Sequence, residues 1–229
     1  MSTPRHALVI GANRGIGLEL ARLLLARGQR VSASYRSDAG GLHALVGATL
    51  IEGIDLERTE TLAPLADGER VDDLIVNAGI YPQDKPNDRP NAGPGAIDLS
   101  ALMRGFAVNA AGPLLAVQAL GKRLGEGSRV LLVTSRMGSI ADNDSGHSYA
   151  YRMSKAALNM AGKTLSIDLK PRGISVALIH PGWVRTDMTS GQGLLDPNES
   201  AAGILARLDD LDLAKTGTFW HQNGQVLPW

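Results

Sequence analysis

Short apolar runs alternate along the chain with amphipathic stretches of helical length. Seven apolar runs are predicted as strands, at residues 7–10, 30–35, 49–52, 73–76, 129–134, 175–179 and 217–220. Helices are predicted at residues 15–27, 99–124 and 149–169, with a shorter one near 199–208. Nearly continuous apolar strands that alternate with helices are typical of a parallel sheet covered on both faces. The pattern therefore predicts an α/β fold, a doubly wound parallel sheet of about seven strands flanked by helices.

Two polar loops interrupt this pattern. Residues 81–97 and 142–147 are rich in Pro, Asn, Asp and Gly, the residues that form turns. Both loops follow elements whose carboxyl ends should share one edge of the sheet, where α/β proteins place their ligands. The loops either border a ligand crevice or are plain surface connections.

The composition excludes several classes of function. The 23 Lys and Arg residues balance 23 Asp and Glu residues, and no basic run is present. This argues against nucleic-acid binding and against attraction to an anionic membrane. The absence of cysteine excludes disulfides, thiolate catalysis and cysteine-ligated metals. We also read no apolar run that approaches membrane-spanning length and no signal peptide. A cytoplasmic protein with a small-molecule partner is expected.

A glycine-rich loop follows the first predicted strand and opens the first predicted helix. It reads Gly-Ala-Asn-Arg-Gly-Ile-Gly from Gly11 to Gly17. In this context glycines let the backbone approach a phosphate, and the helix N-terminus supplies free N–H groups and positive potential. The loop is predicted to bind the pyrophosphate of a dinucleotide, although its GxxxGxG spacing also suits a tight turn.

The end of the second predicted strand bears on the choice of dinucleotide. An acidic residue there would bind the ribose hydroxyls of NAD, but the chain has Arg36 instead. A guanidinium can form paired hydrogen bonds with the 2′-phosphate of NADP. NADP(H) is therefore predicted over NAD(H), with Arg14 as the weaker indication, since a basic residue in a phosphate loop suits both cofactors. Either arginine could simply be solvated.

A tyrosine and a lysine lie four residues apart in the predicted helix 149–169. This spacing places Tyr151 and Lys155 on one helix face. A free phenol has a pKa of about 10, and a neighbouring cation is expected to lower that pKa toward the range of acid–base catalysis. By itself the pair would also be consistent with a solvated helix face.

Two further polar residues favour a catalytic reading of that pair. Ser135 ends a predicted strand at the ligand-binding edge, where its hydroxyl could hold a substrate oxygen. Asn109 lies in a predicted helix four residues before Pro113, which has no N–H to bond the carbonyl of Asn109. The freed carbonyl either holds a water near Lys155, as part of a proton path, or marks a helix kink.

In their order along the chain these motifs resemble the short-chain dehydrogenase/reductase family. The resemblance rests on the glycine loop, Asn77-Ala78-Gly79, the four residues Asn109, Ser135, Tyr151 and Lys155, and Pro181-Gly182. It spans the whole chain and is strongest to the small carbonyl-reductase and C-factor-like members. It implies a Rossmann fold, with residues 1–229 forming a single domain that carries both the cofactor site and the substrate site.

The resemblance also implies a role for each residue. Asn109, Ser135, Tyr151 and Lys155 would form the catalytic tetrad of an enzyme that passes hydride between a nicotinamide and a carbonyl or alcohol carbon. Ser135 would polarise the substrate oxygen, Tyr151 would exchange the proton, Lys155 would bind the nicotinamide ribose, and Asn109 would anchor a water. The implied cofactor contacts are Gly11, Asn13, Arg14, Gly15, Ile16, Gly17, Arg36, Asp55, Leu56, Asn77, Ala78, Gly79, Tyr151, Lys155, Pro181, Gly182, Val184 and Thr186.

Two residues depart from the family pattern. Ile10 stands where the family usually has Thr before its first glycine, and Val76 replaces the first Asn of Asn-Asn-Ala-Gly. An apolar pair at these positions is expected to be nearly neutral for stability if the two side chains pack, but it puts cofactor affinity in question.

No specific role is assigned to Trp183 or to the histidines. Trp183 either walls the nicotinamide site or belongs to the core. The five histidines are scattered without metal-binding spacing, and no metal is predicted.

Two hypotheses on function follow from different classes. The first is an NADP(H)-dependent carbonyl reductase, a homodimer by the family resemblance. The alternative is a non-catalytic nucleotide-binding protein with a signalling or interaction role, as the likeness to C-factor suggests. The presence of both Tyr151 and Lys155 favours the enzyme.

Overall fold

A parallel sheet of seven strands forms the centre of the computed structural model, which describes residues 4–82 and 97–229. The strands are β1 (His6–Ile10), β2 (Arg30–Ser34), β3 (Ala48–Ile51), β4 (Asp73–Val76), β5 (Arg129–Val133), β6 (Ser175–His180) and β7 (Phe219–His221). Their order is β3-β2-β1-β4-β5-β6-β7, and every neighbouring pair is parallel. The predicted fold class is confirmed. The strand order reverses between β1 and β4, which is where such sheets open a ligand crevice.

Helices cover both faces of the sheet. They are α1 (Gly15–Ala26), α2 (Leu99–Phe106), α3 (Gly112–Ala119), α4 (Tyr149–Asp168) and α5 (Pro197–Asp210). Alternate residues of β1 show how the two layers form, because successive side chains of a strand point to opposite faces. Ala7 and Val9 pack in the cluster that contains the buried residues of α1 and α5. Leu8 and Ile10 pack in the cluster under α3 and α4.

The predicted helix 99–124 is wrong at its carboxyl end and is not regular. It consists of α2, a π-helical segment at Ala107–Ala111, and α3, which ends at Ala119. The apolar pattern continues to Leu124 because that side chain is buried in the core, although it lies in a turn. The π segment ends at Ala111, two residues before Pro113, which cannot supply an α-helical hydrogen bond to Asn109.

The other predicted ends lie within two residues of those in the structure. The largest shift in the sheet is at β7, which begins at Phe219 rather than at Gly217. Gly217 has a left-handed backbone with φ of 81°, and this conformation is incompatible with a regular strand. Most of the predicted loop 81–97 lies outside the described residues.

One helical stretch corrects the expectation about membrane-spanning runs. Within the described part of the chain, residues Leu99–Ala119 are long and apolar enough to cross a membrane by length and composition, with a mean hydropathy of 1.2. Half of the most apolar window is buried inside the molecule. Since a core helix of a soluble protein passes the same test, the stretch is weak evidence for a membrane span.

The amino edge of the sheet contains a buried carboxylate with two cationic partners. Asp73, fully buried at the start of β4, accepts hydrogen bonds from Arg5 at 2.8 and 3.0 Å and from Arg129 at 2.7 Å. Burial by itself would raise the pKa of Asp73, but the hydrogen bonds from the two guanidinium groups lower it below its ordinary value. The group therefore stays charged and ties three segments together.

Candidate active site

The glycine loop folds tightly against the segment that follows β4. Gly11 has a φ of 81°, and a Cβ atom there would lie 2.6 Å from the Cβ of Ala78. A Cβ at Gly17 would lie 2.1 Å from the carbonyl oxygen of Gly11. The amide of Asn77 donates to that same oxygen at 2.8 Å. The structure thus brings the glycine loop and residues 77–79 together, and both glycines are required by close contact.

The two departures from the family pattern form a pair. Ile10 and Val76 are register partners in the adjacent strands β1 and β4. Both are almost fully buried and belong to one core cluster. The condition set by the sequence, that the two side chains pack together, is met.

The start of α1 offers unpartnered donors next to this loop. Arg14, at the N-cap position, makes no side-chain capping bond, and the first turn contains no acidic residue. The free N–H groups and positive potential of such a helix end suit a phosphate. Asn13 lies in the same loop and accepts a main-chain hydrogen bond from Gly41. Ile16 is half-buried against the core.

The two arginines predicted near the cofactor differ in their surroundings. The guanidinium of Arg14 is paired with the carboxylate of Asp187, and both side chains are largely exposed. Arg36 follows β2 and is exposed, and it forms no ion pair among the described residues. A guanidinium with no partner on the chain is the better fit to a 2′-phosphate. Sequence reasoning missed Asp187, which lies 173 residues from Arg14.

Two of the implied cofactor contacts, Asp55 and Leu56, have partners within the fold. The carboxylate of Asp55 accepts from the N–H of Glu57 and lies 3.4 Å from the guanidinium of Arg58. Leu56 is buried in the core cluster beneath α3.

Asn109 reaches the segment after β4 from the π segment. Its side chain is fully buried, accepts from the N–H of Ile80 at 2.8 Å and donates to the carbonyl of Ile80 at 2.9 Å. It also donates to the hydroxyl of Ser154 at 3.0 Å. A Cβ at Gly79 would lie 3.1 Å from Asn109 Oδ1 and 3.5 Å from Lys155 Nζ. Residues 79–80, Asn109 and Lys155 therefore converge.

Ser135 lies directly beyond the end of β5. Its hydroxyl accepts from the N–H of Met137 at 3.1 Å, which caps a single helical turn at Arg136–Gly138. The same hydroxyl lies close enough to the phenol of Tyr151 to act on its pKa. The serine and the tyrosine predicted to share a substrate oxygen are thus near each other.

Tyr151 and Lys155 occupy the buried face of α4, as their spacing predicts. Lys155 Nζ lies 5.8 Å from the centroid of the Tyr151 ring and donates to the carbonyl of Val133 at 3.1 Å. No carboxylate forms an ion pair with Lys155 among the described residues. The tetrad Asn109, Ser135, Tyr151 and Lys155 is brought together at one point.

The pKa values of this pair differ from the expectation. Burial raises the pKa of Tyr151 to about 12; the hydroxyl of Ser135 opposes the rise, and the phenol of Tyr81 adds to it. Burial lowers the pKa of Lys155 to about 8. The expectation that the chain's own cation lowers the phenol pKa is wrong, because the cost of burying a charge outweighs the attraction.

A third polar residue continues the same stripe of α4 and was missed. Asn159 follows Lys155 by four residues, and its amide accepts from Thr134 at 2.7 Å and donates to the carbonyl of Gly138 at 3.1 Å. It thereby ties α4 to the loop that follows Ser135. The i, i+4, i+8 spacing of Tyr151, Lys155 and Asn159 was a visible signal.

The segment after β6 returns toward the glycine loop. Gly182 has a φ of 89°, and Val184 is buried and pairs with Leu195. A Cβ at Gly15 would lie 3.4 Å from the methyl group of Thr186. This confirms that the segment lies beside the loop, while Trp183 is half-exposed and outside the core.

His180, immediately before Pro181, is a further ionisable group and is partly buried. Its Nδ1 atom is buried without a hydrogen-bond partner in the described part of the chain, and its ring meets the ring of His221 edge-on at 4.9 Å. Burial, with His221, Arg136 and Lys155 nearby, lowers its pKa to about 3. Sequence reasoning gave this residue no role.

An open cleft lies beside the segment that follows β4. It has a volume of about 630 Å³ and is bordered by residues 79–82, Arg14, Arg104, Asp187, Met188 and Ser190. One wall is Tyr81, whose ring lies 4.7 Å from that of Tyr151. The start of the predicted loop 81–97 therefore borders a crevice, which is one of the two roles considered for that loop.

Comparisons with known proteins agree with this geometry. Residues 5–194 match the family described as short chain dehydrogenase. The chain is 36% identical to 1-hydroxy-2-glutathionyl-2-methyl-3-butene dehydrogenase of Rhodococcus sp. (strain AD45), over 97% of this chain and 98% of that protein. It is 44% identical to the C-signal of Myxococcus xanthus, over 69% of this chain and 93% of that protein. The structure of an NADPH-bound carbonyl reductase from chicken fatty liver superposes with a TM-score of 0.86 at 29% identity, with all of both chains covered.

Proposed function

The chain belongs to the short-chain dehydrogenase family, and on that premise we propose that it is an NADP(H)-dependent oxidoreductase of small carbonyl or alcohol substrates. The observation that supports this most is the burial of Tyr151 and Lys155 on one helix face, with Ser135 close enough to the phenol to lower its pKa. Buried ionisable groups without opposite charges, at a cleft, are typical of acid–base sites.

When bound, NADPH would supply the hydride. In the reducing direction the hydroxyls of Ser135 and Tyr151 donate hydrogen bonds to the carbonyl oxygen of the substrate. Tyr151 then gives its proton to that oxygen as the alcohol forms, and the resulting phenolate is stabilised by the ammonium of Lys155. With a pKa near 8, the amino group of Lys155 is protonated in most molecules at neutral pH. In the oxidising direction the same phenolate accepts the proton of the alcohol.

Lys155 and Asn109 would serve the cofactor and the return of the proton. The ammonium of Lys155 would bind the hydroxyls of the nicotinamide ribose. Its position beside Gly79 and Asn109 places it where a water held near Asn109 could return a proton from solvent.

The remaining residues implied by the family resemblance are assigned to three parts of one dinucleotide. The uncapped start of α1, with Gly11, Asn13, Gly15, Ile16 and Gly17, would hold the pyrophosphate. We assign the adenosine side to Arg36, Asp55, Leu56, Asn77, Ala78 and Gly79, and the nicotinamide side to Pro181, Gly182, Val184 and Thr186.

We expect a preference for NADP(H) because Arg36 is exposed, without an ion-pair partner among the described residues, where an acidic residue would otherwise bind the ribose. The chicken carbonyl reductase, which this chain resembles throughout, was solved with NADPH. The test is the ratio of kcat/KM for NADPH over NADH in wild type, Arg36→Asp and Arg14→Ala. Arg36→Asp should reverse the preference, and an unchanged ratio would remove Arg36 from the site.

The proposed chemistry is tested by Tyr151→Phe. Wild-type protein should oxidise NADPH with members of a panel of aldehydes and ketones. A second panel, of alcohols, is assayed with NADP⁺. It should include a glutathione-conjugated alcohol, since the Rhodococcus relative is named for such a substrate. Tyr151→Phe should lower kcat by a factor of about 10³, within the usual contribution of general acid catalysis. NADPH binding, followed by fluorescence, should remain. Full turnover in Tyr151→Phe would exclude the mechanism.

A second candidate is a signalling role. It is favoured by the 44% identity to the C-signal of Myxococcus xanthus. In that case the fold would bind a nucleotide without turnover. Tight NADPH binding, with no oxidation of NADPH by the carbonyl panel and no reduction of NADP⁺ by the alcohol panel, would favour this candidate over the enzyme.

We also propose that the protein is a homodimer through α2 and α4. These helices pack side by side, and their outer faces expose apolar side chains. Met153, Met160 and Ile167 recur every seven residues along α4, which suits antiparallel packing with a second copy. Leu99, Met103 and Phe106 continue this face on α2. Met160→Glu with Ile167→Glu should convert a dimer into a monomer in light scattering.

We also propose that the protein is a single domain and that it is located in the cytoplasm. The glycine loop and Ser135 follow strands of one sheet, and α4, which bears Tyr151, packs on that sheet, so we assign both sites to one unit. The reduced NADPH pool of the cytoplasm would drive carbonyl reduction.

A further inference from the structure

Tyr81 lies between two residues whose positions are fixed. On one side, both main-chain groups of Ile80 are hydrogen-bonded by the side chain of Asn109, at 2.8 and 2.9 Å. On the other side, Pro82 lies against α2 so closely that a Cβ at Gly105 would be 2.9 Å from the Pro82 ring. The backbone of Tyr81 is therefore held in place between the π segment and α2.

The side chain of Tyr81 contacts α4 at two points. Its ring packs on the ring of Tyr151, with the centroids 4.7 Å apart and the planes inclined by 37°. Its hydroxyl is hydrogen-bonded to the hydroxyl of Ser148, the residue that precedes α4. The side exposed to solvent borders the cleft.

Ser148 is itself a strained and fixed partner. It and His147 are consecutive non-glycine residues with left-handed backbones, at φ of 52° and 61°. The guanidinium of Arg152 holds this turn through the carbonyls of Gly146 and His147, at 2.8 and 3.0 Å. A hydrogen bond to Ser148 therefore ties Tyr81 to a rigid point at the start of the helix that bears Tyr151.

These contacts close a ring of interactions around the reacting phenol. Asn109 holds Ile80, and the adjacent Tyr81 packs on Tyr151. The main-chain carbonyl of Tyr151 accepts from the hydroxyl of Ser154 at 2.8 Å, and Ser154 in turn accepts from Asn109. No other side chain in the described residues makes an aromatic contact with Tyr151.

We propose that Tyr81 is a positioning residue for Tyr151: its ring fixes the orientation of the Tyr151 phenol toward Ser135 and keeps water from one face of that phenol. The inference rests on the proposed function, since it takes Tyr151 as the proton donor. Three groups face the phenol, namely Ser135 beyond β5, Tyr81 beyond β4, and Lys155 on α4 itself. Of these, Tyr81 acts to raise the pKa of Tyr151.

The test compares Tyr81→Phe and Tyr81→Leu with wild type. Tyr149→Leu serves as the matched control, because Tyr149 is a half-exposed tyrosine at the start of the same helix. Tyr81→Leu should lower kcat for carbonyl reduction by about tenfold, as expected for a misplaced acid, with the dissociation constant of NADPH unchanged. Tyr81→Phe keeps the ring and should restore kcat to within about threefold of wild type.

The alkaline limb of the kcat profile supplies a readout that a purely structural role would not move. Reduction requires a protonated phenol, so turnover falls as Tyr151 ionises. Tyr81→Leu admits water to the ring and should move this limb to lower pH by about half a unit, whereas Tyr149→Leu should not move it. Identical kcat and identical profiles in Tyr81→Leu and Tyr149→Leu would overturn the proposal.

A second measurement separates failure of this inference from failure of the proposed function. The Tyr151 phenolate is followed by its absorbance at 295 nm within milliseconds of a jump to alkaline pH, as the difference between each protein and its Tyr151→Phe counterpart. The Tyr81→Leu background should show a lower pKa of Tyr151 even if no substrate is turned over. If the pKa is the same in both backgrounds, Tyr81 does not position the phenol.

Discussion

The two edges of the sheet bury ionisable groups under opposite conditions. At the amino edge, the carboxylate of Asp73 is hydrogen-bonded by two guanidinium groups and its pKa is lowered, so it stays charged. At the carboxyl edge, the buried Lys155 and the partly buried His180 have no carboxylate partners among the described residues, and both have lowered pKa values. Burial likewise raises the pKa of Tyr151. One edge thus fixes a charge for stability, while burial at the other favours the neutral forms of its groups.

Lys155→Met is expected to have the largest effect, because it should lower turnover while it raises the free energy of unfolding. Turnover should fall by a factor of at least about 10³, since cofactor binding and stabilisation of the phenolate are lost together. The pKa of Lys155 is lowered from 10.5 to about 8, so burying its charge costs stability at neutral pH. The free energy of unfolding at pH 7 should therefore rise by about 2 kcal/mol. Urea unfolding checks this, and a loss of stability would mean that the bond to Val133 outweighs the burial cost.

Asp73→Asn should act in the opposite way. Two guanidinium groups lose their buried partner, and the free energy of unfolding should fall by about 3 kcal/mol. Turnover at 25 °C should stay within about twofold of wild type, because the site is at the far edge. Asp210→Asn, which breaks the more exposed ion pair with Arg207, is the control and should cost less than about 1 kcal/mol.

The contribution of Asp73 to stability should depend on pH in a defined direction. The folded pKa of Asp73 is lowered, so its contribution is complete above the unfolded value of 3.8 and is lost as pH falls through the folded pKa. The difference in unfolding free energy between wild type and Asp73→Asn should therefore shrink below about pH 4. A difference that grows toward low pH contradicts this assignment.

His180→Asn tests how the carboxyl edge affects the dependence of stability on pH between about pH 6 and 4. The folded pKa of His180 is about 3 and its ordinary value is 6.5, so only the unfolded chain binds a proton between these values. Wild type should lose stability as pH falls through this window, by up to about 1 kcal/mol per pH unit from this group. In His180→Asn the slope between pH 6 and 4 should be shallower. Equal slopes would show that His180 is protonated in the folded protein.

The smallest expected effect concerns the link between α4 and the loop after Ser135. Thr134→Val, Asn159→Leu and the double variant form a cycle for the bond at 2.7 Å. Each single change leaves a buried polar partner, so the coupling energy should be about 1 kcal/mol. Asn159→Leu should also lower kcat while Thr134→Val does not, because only Asn159 bonds to Gly138. Additive effects would show that the two side chains act independently.

The sequence was a good guide wherever local pattern decided the outcome. The strand ends at Ile10, Val76 and Val133 follow, to within one residue, from apolar runs, and parallel topology brings the loops after them together without further information. The face shared by Tyr151 and Lys155 follows from helix geometry. Even the packing of Ile10 with Val76 could be stated as a condition before the register was known.

Contacts between distant segments could not be read in the same way. The partner of Arg14 is Asp187, and the partner of Tyr151 is Tyr81; neither pairing leaves a periodic signal. The direction of the Tyr151 pKa was mistaken because burial is a property of the whole fold and outweighs the neighbouring cation. Leu124 extended the predicted helix because apolar periodicity reports burial rather than helical conformation.

The π segment at Ala107–Ala111 has a consequence for how this chain can change. A π turn holds one residue more than an α turn, so the segment acts as a one-residue insertion within a helix. Deleting Ala111 would restore the α-helical phase and rotate everything before it by about 100° relative to α3. Asn109 would then swing away from Ile80, or the apolar face of α2 would turn from its neighbours. Single-residue deletions here should be far less tolerated than substitutions of the alanines at its two ends.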